Sequence, residues 1–232
     1  MFPIYKLLEY ALLPAVALGL AGVWAVLHPP GDRWRSALMH FAAGVVFAVV
    51  AVELLPDLVH EHSVVYTALG FALGTAAMLG VRALNRGANK IGSGSLLAAT
   101  AADISVDGLM LGIGFAAGAR QGILLTIALV FEMISLGLAV ALKLQQEFTE
   151  KIAVLGRIAM LAGLFILAAG LGSAALAQIS GRLLAGVIAF GAAALLFLVT
   201  EELLTEAHEI PENAWLTSAF FIGFLVVFLL EL

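Results

Sequence analysis

Apolar stretches of about 20 residues recur along the whole chain, and this repetition most limits what the chain can fold into. A helix needs about 20 apolar residues to cross the hydrocarbon layer of a bilayer. The composition agrees, since 63% of the residues are hydrophobic, 12% are charged and the mean hydropathy is +1.11. The sequence therefore predicts an all-α membrane protein that forms a single transmembrane domain over residues 1–232, with the lipid bilayer as its surroundings.

Breaks in the apolar pattern predict eight transmembrane helices. They cover residues 5–27, 36–56, 63–83, 94–118, 122–142, 155–177, 183–205 and 213–231. The connections are short, so consecutive helices are expected to run antiparallel. The first segment lacks the basic start and small-residue cleavage site of a signal peptide, so we expect it to remain as a helix. With no cysteine in the chain, a disulfide framework and a thiolate metal site are both excluded.

Basic residues are unevenly distributed between the two sides of the predicted bundle. One side holds Arg33, Arg35, Arg82, Arg86, Lys90, Lys143, Lys151 and Arg157. The other side holds Lys6, Arg120 and Arg182. Because cytoplasmic loops collect lysine and arginine, the larger group is expected inside and both chain termini outside. The net charge of −5 gives no reason to expect a nucleic-acid partner.

Two acidic stretches of the chain are similar to each other. Residues 53–61 read Glu-Leu-Leu-Pro-Asp-Leu-Val-His-Glu, and residues 202–209 read Glu-Leu-Leu-Thr-Glu-Ala-His-Glu. They end the second and seventh predicted helices, which run in opposite directions, as in the inverted repeats of many secondary transporters. Acidic helix ends are also common, so chance similarity is the alternative. A real repeat would give a bundle of three helices, a central pair and three more.

Three carboxylates lie near the middle of the predicted central pair. Asp103 and Asp107 are four residues apart, which places them on one face of the fourth helix, about 6 Å apart along its axis. Counted from the short turn near Arg120, Asp107 and Glu132 reach a similar depth in the antiparallel hairpin. Ser135, one turn beyond Glu132, would add a neutral oxygen at that level.

Three unpaired charges at the bilayer centre would cost roughly 8 to 10 kcal/mol on insertion scales, so something must compensate for them. A divalent cation suits a cluster of carboxylate oxygens, and mutual repulsion is relieved only when metal or protons bind. Metal binding is therefore expected to release protons. The simpler alternative is that the carboxyls are protonated and hydrogen-bond across helices as part of the packing.

Residues 103–108 read Asp-Ile-Ser-Val-Asp-Gly, and residues 131–135 read Phe-Glu-Met-Ile-Ser. Both segments resemble motifs of the ZIP (Zrt/Irt-like protein) family of divalent metal transporters. Residues 103–108 resemble the fourth-helix motif His-Asn-x-Pro-Glu-Gly, with acids at the His and Glu positions. Residues 131–135 resemble the fifth-helix motif His/Gln-Glu/Asp-x-Pro-Glu/His. The acidic Leu-Leu-Pro stretch at residues 53–57 is also ZIP-like. The chain thus resembles a divergent, bacterial-type member of this family over nearly its whole length.

The resemblance implies a transporter of Zn, Mn or Fe in the bacterial inner (plasma) membrane, with the metal ion as its substrate and a homodimer as one possible assembly. It also implies that the first, fourth, fifth and sixth helices form the unit that carries the metal. Three family ligand positions are altered, to Ile104, Phe131 and Ser135. We therefore expect a single cation, bound by Asp103, Asp107 and Glu132 with Ser135, in place of the family's two-metal centre. Carboxylate ligands favour Mn²⁺, Fe²⁺ or Mg²⁺ more than a nitrogen-rich zinc site does.

Several other polar residues have an ordinary structural explanation. His40 is expected to be a packing histidine before it is a metal ligand. The acids Glu53, Glu201 and Glu202 lie near predicted helix ends, where hydration suffices to explain them. Solvated loop charge is the simpler explanation for the remaining acidic and histidine residues near the two ends of the bundle, and weak metal-capturing mouths are the alternative. These residues are His60, Glu61, His62, Glu206, His208, Glu209 and Glu212.

Three functional classes are consistent with these features. The first is a metal transporter. The second is a ZIP-fold membrane protein that binds metal for sensing or regulation without transporting it. The third, an intramembrane aspartyl protease, needs two carboxyls about 3 Å apart, whereas Asp103 and Asp107 are a helical turn apart on one helix. We therefore expect no enzymatic activity.

Overall fold

The computed structural model describes residues 4–60, 63–88, 93–176, 181–211 and 213–231. All regular structure in these residues is helical. We label the helices α1 (Ile4–Leu27), α2 (Asp32–His60), α3 (Val64–Ala88), α4 (Ser93–Ala117), α5 (Ala119–Glu147), α6 (Lys151–Leu176), α7 (Arg182–Ala207) and α8 (Ala214–Glu231).

Seven of these helices, α1 to α7, are long and apolar enough to cross a membrane. The chain is thus an all-helical integral membrane protein. Helix α8 is apolar but shorter, with a suitable stretch of Ala214–Leu230. Large apolar side chains are exposed along α1, α3 and α8, as expected where helices contact lipid instead of a protein core. A crossing by α8, and hence the count of eight, stays a prediction.

Helices α2 and α7 each contain one wider, π-helical turn. In α2 this turn is Val50–Leu54, and in α7 it is Val199–Leu203. The turns carry Glu53 and Glu202, the first residues of the two similar acidic stretches. A π turn accommodates an extra residue and re-aims the side chains around it, and such turns are frequent at functional sites. Both glutamates are thereby directed into the bundle and not simply placed at frayed helix ends.

The helices pack mainly as four pairs: α1 with α5, α4 with α6, α2 with α8, and α3 with α7. Small residues allow close backbone contact within the pairs. At Gly70 of α3, a side chain would collide with the carbonyl group of Gly186 on α7. At Gly108 of α4, it would collide with the backbone of Phe165 on α6. Such pairing is typical of membrane helices, where close van der Waals contact drives association.

Charged side chains join α7 to α2 and α5 at one end of the bundle, which we call the Lys143 end. Lys143 of α5 pairs with Glu206 at 3.1 Å. Arg35 of α2 pairs with Glu209, just after α7, at 2.9 Å. All four side chains are at least partly exposed, so these pairs contribute little to the stability but do hold three elements together.

At the opposite end, which we call the Arg120 end, the start of α5 contacts the last turns of α2. Gln121 donates a hydrogen bond to the carboxylate of Asp57 at 2.9 Å. Arg120 lies 3.8 Å from the carboxylate of Glu53, which is almost fully buried. The turn between α4 and α5 is thus attached to α2, while the far end of α5 is attached to α7.

Candidate functional site

Helices α4 and α5 form an antiparallel hairpin through Gly118, and this hairpin brings Asp107 and Glu132 together. Both side chains are buried, with 2% and 3% of their surface exposed. Their carboxyl groups are in hydrogen-bonding contact with each other. The meeting of these two residues is what the equal counts from the turn predict. Asp103 is partly buried one turn from Asp107 on the same helix.

A small cavity contains all four of the residues that the sequence nominates. Its lining includes Asp103, Asp107, Glu132 and Ser135. The cavity has a volume of about 50 Å³. This is room for a few waters or a partly hydrated ion, because one water needs roughly 10 to 15 Å³. The carboxylates of the hairpin therefore line a small space within the apolar bundle.

Three carboxylate oxygens at this site are buried without a hydrogen-bond partner in the described part of the chain. They are Oδ1 of Asp103, Oδ2 of Asp107 and Oε2 of Glu132. An unsatisfied buried polar group costs about 1 to 3 kcal/mol, and more when it is charged. Protein packing seldom leaves three such atoms around one cavity, so the cavity favours a ligand that supplies positive charge or protons.

Ser135 adds a neutral oxygen to the same lining. Its side chain is buried, and its hydroxyl donates to the carbonyl of Phe131 at 3.3 Å, within its own helix. The hydroxyl oxygen keeps lone pairs after this donation. Ser135 can therefore accept from a ligand or a bound water but brings no charge to the site.

Glu202 and Glu206 of α7 complete the acidic lining, and the sequence analysis did not place either residue at the site. Glu202 lies in the π turn, and Glu206 is paired with Lys143 at the cavity mouth. The sequence does hold one signal for Glu202, which is its correspondence to Glu53 in the similar acidic stretches. With Glu202 the cavity combines acids from three helices, whereas the acids of the hairpin come from two helices.

The other acids near helix ends differ from simple hydrated charges. Glu53 is buried near Arg120, and Glu201 pairs with Arg82 of α3. His60 is exposed, and its ring contacts the carbonyl of Pro56. The predicted mouth residues Glu61, His62 and Glu212 lie outside the described residues.

The described residues contain no group of three or more His, Cys, Asp or Glu side chains already positioned to hold a metal ion. The cavity acids therefore share one space without converging on one point. To bind an ion, the side chains would have to rotate until their oxygens lie at the usual distance from a metal ion, about 2.0 to 2.6 Å.

No family model and no curated protein matches this chain. The fold and the site define its class: a helical integral membrane protein with a buried, acid-lined cavity between α4, α5 and α7.

Proposed function

We propose that this protein carries a divalent transition-metal cation, of the Zn, Mn or Fe class, across the membrane through the acid-lined cavity. Asp103, Asp107 and Glu132 are the proposed charged ligands, and Ser135 is a neutral one. Glu202 joins them from α7. The resemblance of the α4 and α5 motifs to the ZIP family supports the same assignment.

One observation carries the proposal, namely the three partnerless carboxylate oxygens buried together between membrane helices. A buried charge in a membrane helix is costly and is found mainly on substrate and ion pathways. A cation satisfies all three oxygens at once, whereas cross-helix packing would satisfy them in pairs and leave no cavity. The contact between Asp107 and Glu132 also supports proton exchange, because two touching carboxyls are relieved by either a shared proton or a cation.

A three-two-three inverted repeat is part of the proposal. The repeat would exchange α1 with α6, α2 with α7, α3 with α8 and α4 with α5. This exchange converts the α1–α5 pair into the α6–α4 pair and the α2–α8 pair into the α7–α3 pair. These are the four main pairs of the bundle. The same exchange matches the π turns of α2 and α7 and their residues Glu53 and Glu202. This correspondence supports a repeat more strongly than the similarity of the short acidic stretches.

The proposed orientation places the Lys143 end inside the cell and the chain termini outside. Arg35 and Lys143 both belong to the larger basic group and lie at this end. Cytoplasmic enrichment of basic residues then sets the direction. In this orientation the mouth near Glu206 faces the cytoplasm, and the attachment of Arg120 to Glu53 lies on the outer side.

A regulatory or sensing protein that binds metal without moving it is the second candidate. The altered motif positions favour it, since they leave fewer ligands than the family's two-metal centre. The absence of three preformed metal ligands among the described side chains also fits weak or transient binding. Flux across a membrane distinguishes the two candidates, because both bind metal and only one transports it.

The decisive experiment is metal flux into proteoliposomes, with Zn²⁺, Mn²⁺ and Fe²⁺ tested separately and the internal pH followed in parallel. Asp107→Ala and Glu132→Ala should leave a folded protein that no longer moves metal. The matched control is Glu147→Gln, which neutralises an exposed acid at the end of the same helix as Glu132. Flux at the wild-type rate in both site variants would rule out the carboxylate pathway. Metal binding without flux in the wild-type protein would favour the sensing protein.

A further inference from the structure

His40 is a buried histidine on α2 close to the acid-lined cavity but not part of it. Only 3% of its surface is exposed. The preceding residue, Met39, lines the cavity. The ring of His40 meets the ring of His208 edge to face, with ring centres 5.0 Å apart and planes at 87°. His208 lies just after α7 and is exposed, two residues beyond the cavity-lining Glu206.

The hydrogen bonds of His40 determine which ring nitrogen carries the proton. Nδ1 lies 2.9 Å from the backbone carbonyl oxygen of Ser36. A carbonyl only accepts, so Nδ1 is the donor. In the neutral ring Nε2 then holds a bare lone pair. The geometry assigns this tautomer from the hydrogen-bond partners, as is usual for histidine.

Nε2 of His40 is buried and has no hydrogen-bond partner in the described part of the chain. A packing histidine normally satisfies both ring nitrogens. Metal-binding histidines show the arrangement seen here, in which one nitrogen donates to a backbone carbonyl and the other is left for the ion. The sequence expectation that His40 is a satisfied packing residue therefore holds for Nδ1 only.

Ser36 also fixes the position of His208. Its hydroxyl donates to the carbonyl of Ala207 at 2.7 Å, which ties the end of α7 to α2 immediately before His208. An imidazole of α2 and one just after α7 are thereby held next to each other. The His40 ring is buried with a bare nitrogen, and the His208 ring is exposed and in edge-to-face contact with it.

We propose that His40 and His208 form a second cation site, separate from the carboxylates, which takes a divalent metal that favours imidazole, such as Cu²⁺, Zn²⁺ or Ni²⁺. The protein provides two nitrogens, and water completes the coordination. Carboxylates suit harder ions, so the two sites differ in preference. The proposal goes beyond the transport function and stands even if the carboxylate cavity moves no metal.

The charged side chains near this site are paired with each other. Glu206 and Glu209 flank His208, and each is paired with a cation, Lys143 and Arg35 respectively. The local charge is therefore nearly balanced, and binding depends on the imidazoles. A two-imidazole site of this kind is expected to exchange its ion readily, in keeping with its position beside the cavity mouth.

The test uses Cu²⁺ as the probe and electron paramagnetic resonance to count bound imidazole nitrogens in the purified, full-length, tag-free protein. The background carries Asp107→Asn and Glu132→Gln to disable the cavity. It also carries His60→Gln and His62→Gln, because two histidines spaced by one residue bind copper themselves. Only His28, His40 and His208 then remain.

At less than one Cu²⁺ per protein, the spectrum should show two imidazole nitrogens. His40→Gln and His208→Gln should each remove at least one nitrogen and weaken binding by about tenfold or more. His28→Gln is the matched control, since His28 is exposed at a helix end, and it should change nothing.

A spectrum without two imidazole nitrogens would overturn the proposal, as would unchanged binding in His208→Gln. His208 is exposed, so its replacement leaves the fold intact and decides the matter even if His40→Gln fails to fold. The metal flux of Asp107→Ala, whether lost or retained, does not change what the copper spectrum says about the His40–His208 site. The two proposals therefore fail separately.

Discussion

Replacing Gly108 with alanine tests whether α4 and α6 are in direct backbone contact beside the site. A Cβ at this position would lie 2.5 Å from the carbonyl oxygen of Phe165 and 2.8 Å from the Cβ of Ala168. The first distance is about 0.9 Å shorter than the 3.4 Å at which ordinary contact begins. Because Phe165 contributes a backbone atom, no rotamer change relieves the collision, and the two helices must move apart.

The expected cost follows from two opposing effects. Overpacking of this kind destabilises by about 1 to 3 kcal/mol. Replacing glycine with alanine inside a helix returns roughly 0.8 to 1.0 kcal/mol through helix propensity. The control Gly163→Ala, on α6 with nothing within 4 Å of the added Cβ, has only the second effect. The difference between the two variants therefore isolates the collision, at about 1 to 3 kcal/mol, or roughly 5- to 150-fold in the unfolding equilibrium.

The measurement is reversible unfolding of both variants in mixed micelles with increasing sodium dodecyl sulfate. Gly108→Ala should unfold at a lower detergent fraction than Gly163→Ala, which should unfold at the wild-type fraction or a higher one. Because Gly108 follows Asp107 directly, the first variant should also bind metal more weakly. Equal unfolding of the two variants would refute the close contact of α4 with α6 and, with it, the placement of Asp107.

Three further predictions concern the charges around the cavity. Glu202→Gln should weaken metal binding by about 1.5 to 3 kcal/mol, measured by calorimetry, whereas the adjacent control Glu201→Gln should leave it unchanged, and equal effects would remove Glu202 from the site. Metal binding in weak buffer should release about one proton per ion, which a pH dye can follow, and Glu132→Gln should abolish this release. If the wild-type protein releases no proton, Asp107 and Glu132 do not share one. Lys143→Gln should change the free energy of unfolding by less than about 1 kcal/mol but raise metal affinity, because it leaves Glu206 free to face the cavity, and lower affinity would oppose this account.

The apolar segments were predictable from the sequence because long hydrophobic runs have few alternatives to a membrane helix. Each predicted segment coincides with a helix in the described residues, and the largest differences are at the ends. Helix α2, expected at 36–56, extends over Asp32–His60. Its additional turns carry Arg33, Arg35 and Asp57, which hydropathy assigns to loops. Such residues remain helical where they reach the interface or find polar partners.

The meeting of Asp107 with Glu132 was predictable because it depends only on the hairpin and on distance from its turn. The participation of Glu202 was not, since α7 lies far along the chain and its approach depends on how the bundle packs. The π turn that aims Glu202 into the cavity has no hydropathy signal. The bare Nε2 of His40 was equally hidden, because only coordinates reveal which of its two nitrogens has a partner.

The attachments at the two ends of α5 limit how that helix can move. Arg120 and Lys143 are 23 positions apart, a span of about 35 Å and close to the thickness of a hydrocarbon layer. An axial slide by one turn, about 5.4 Å, would break the contacts with Glu53 and Glu206 together. A tilt about either attached end would instead keep the contact there and open the contact at the opposite end. The two attachments therefore oppose sliding of α5 along its axis, and a tilt that releases one end at a time is the movement that preserves a contact.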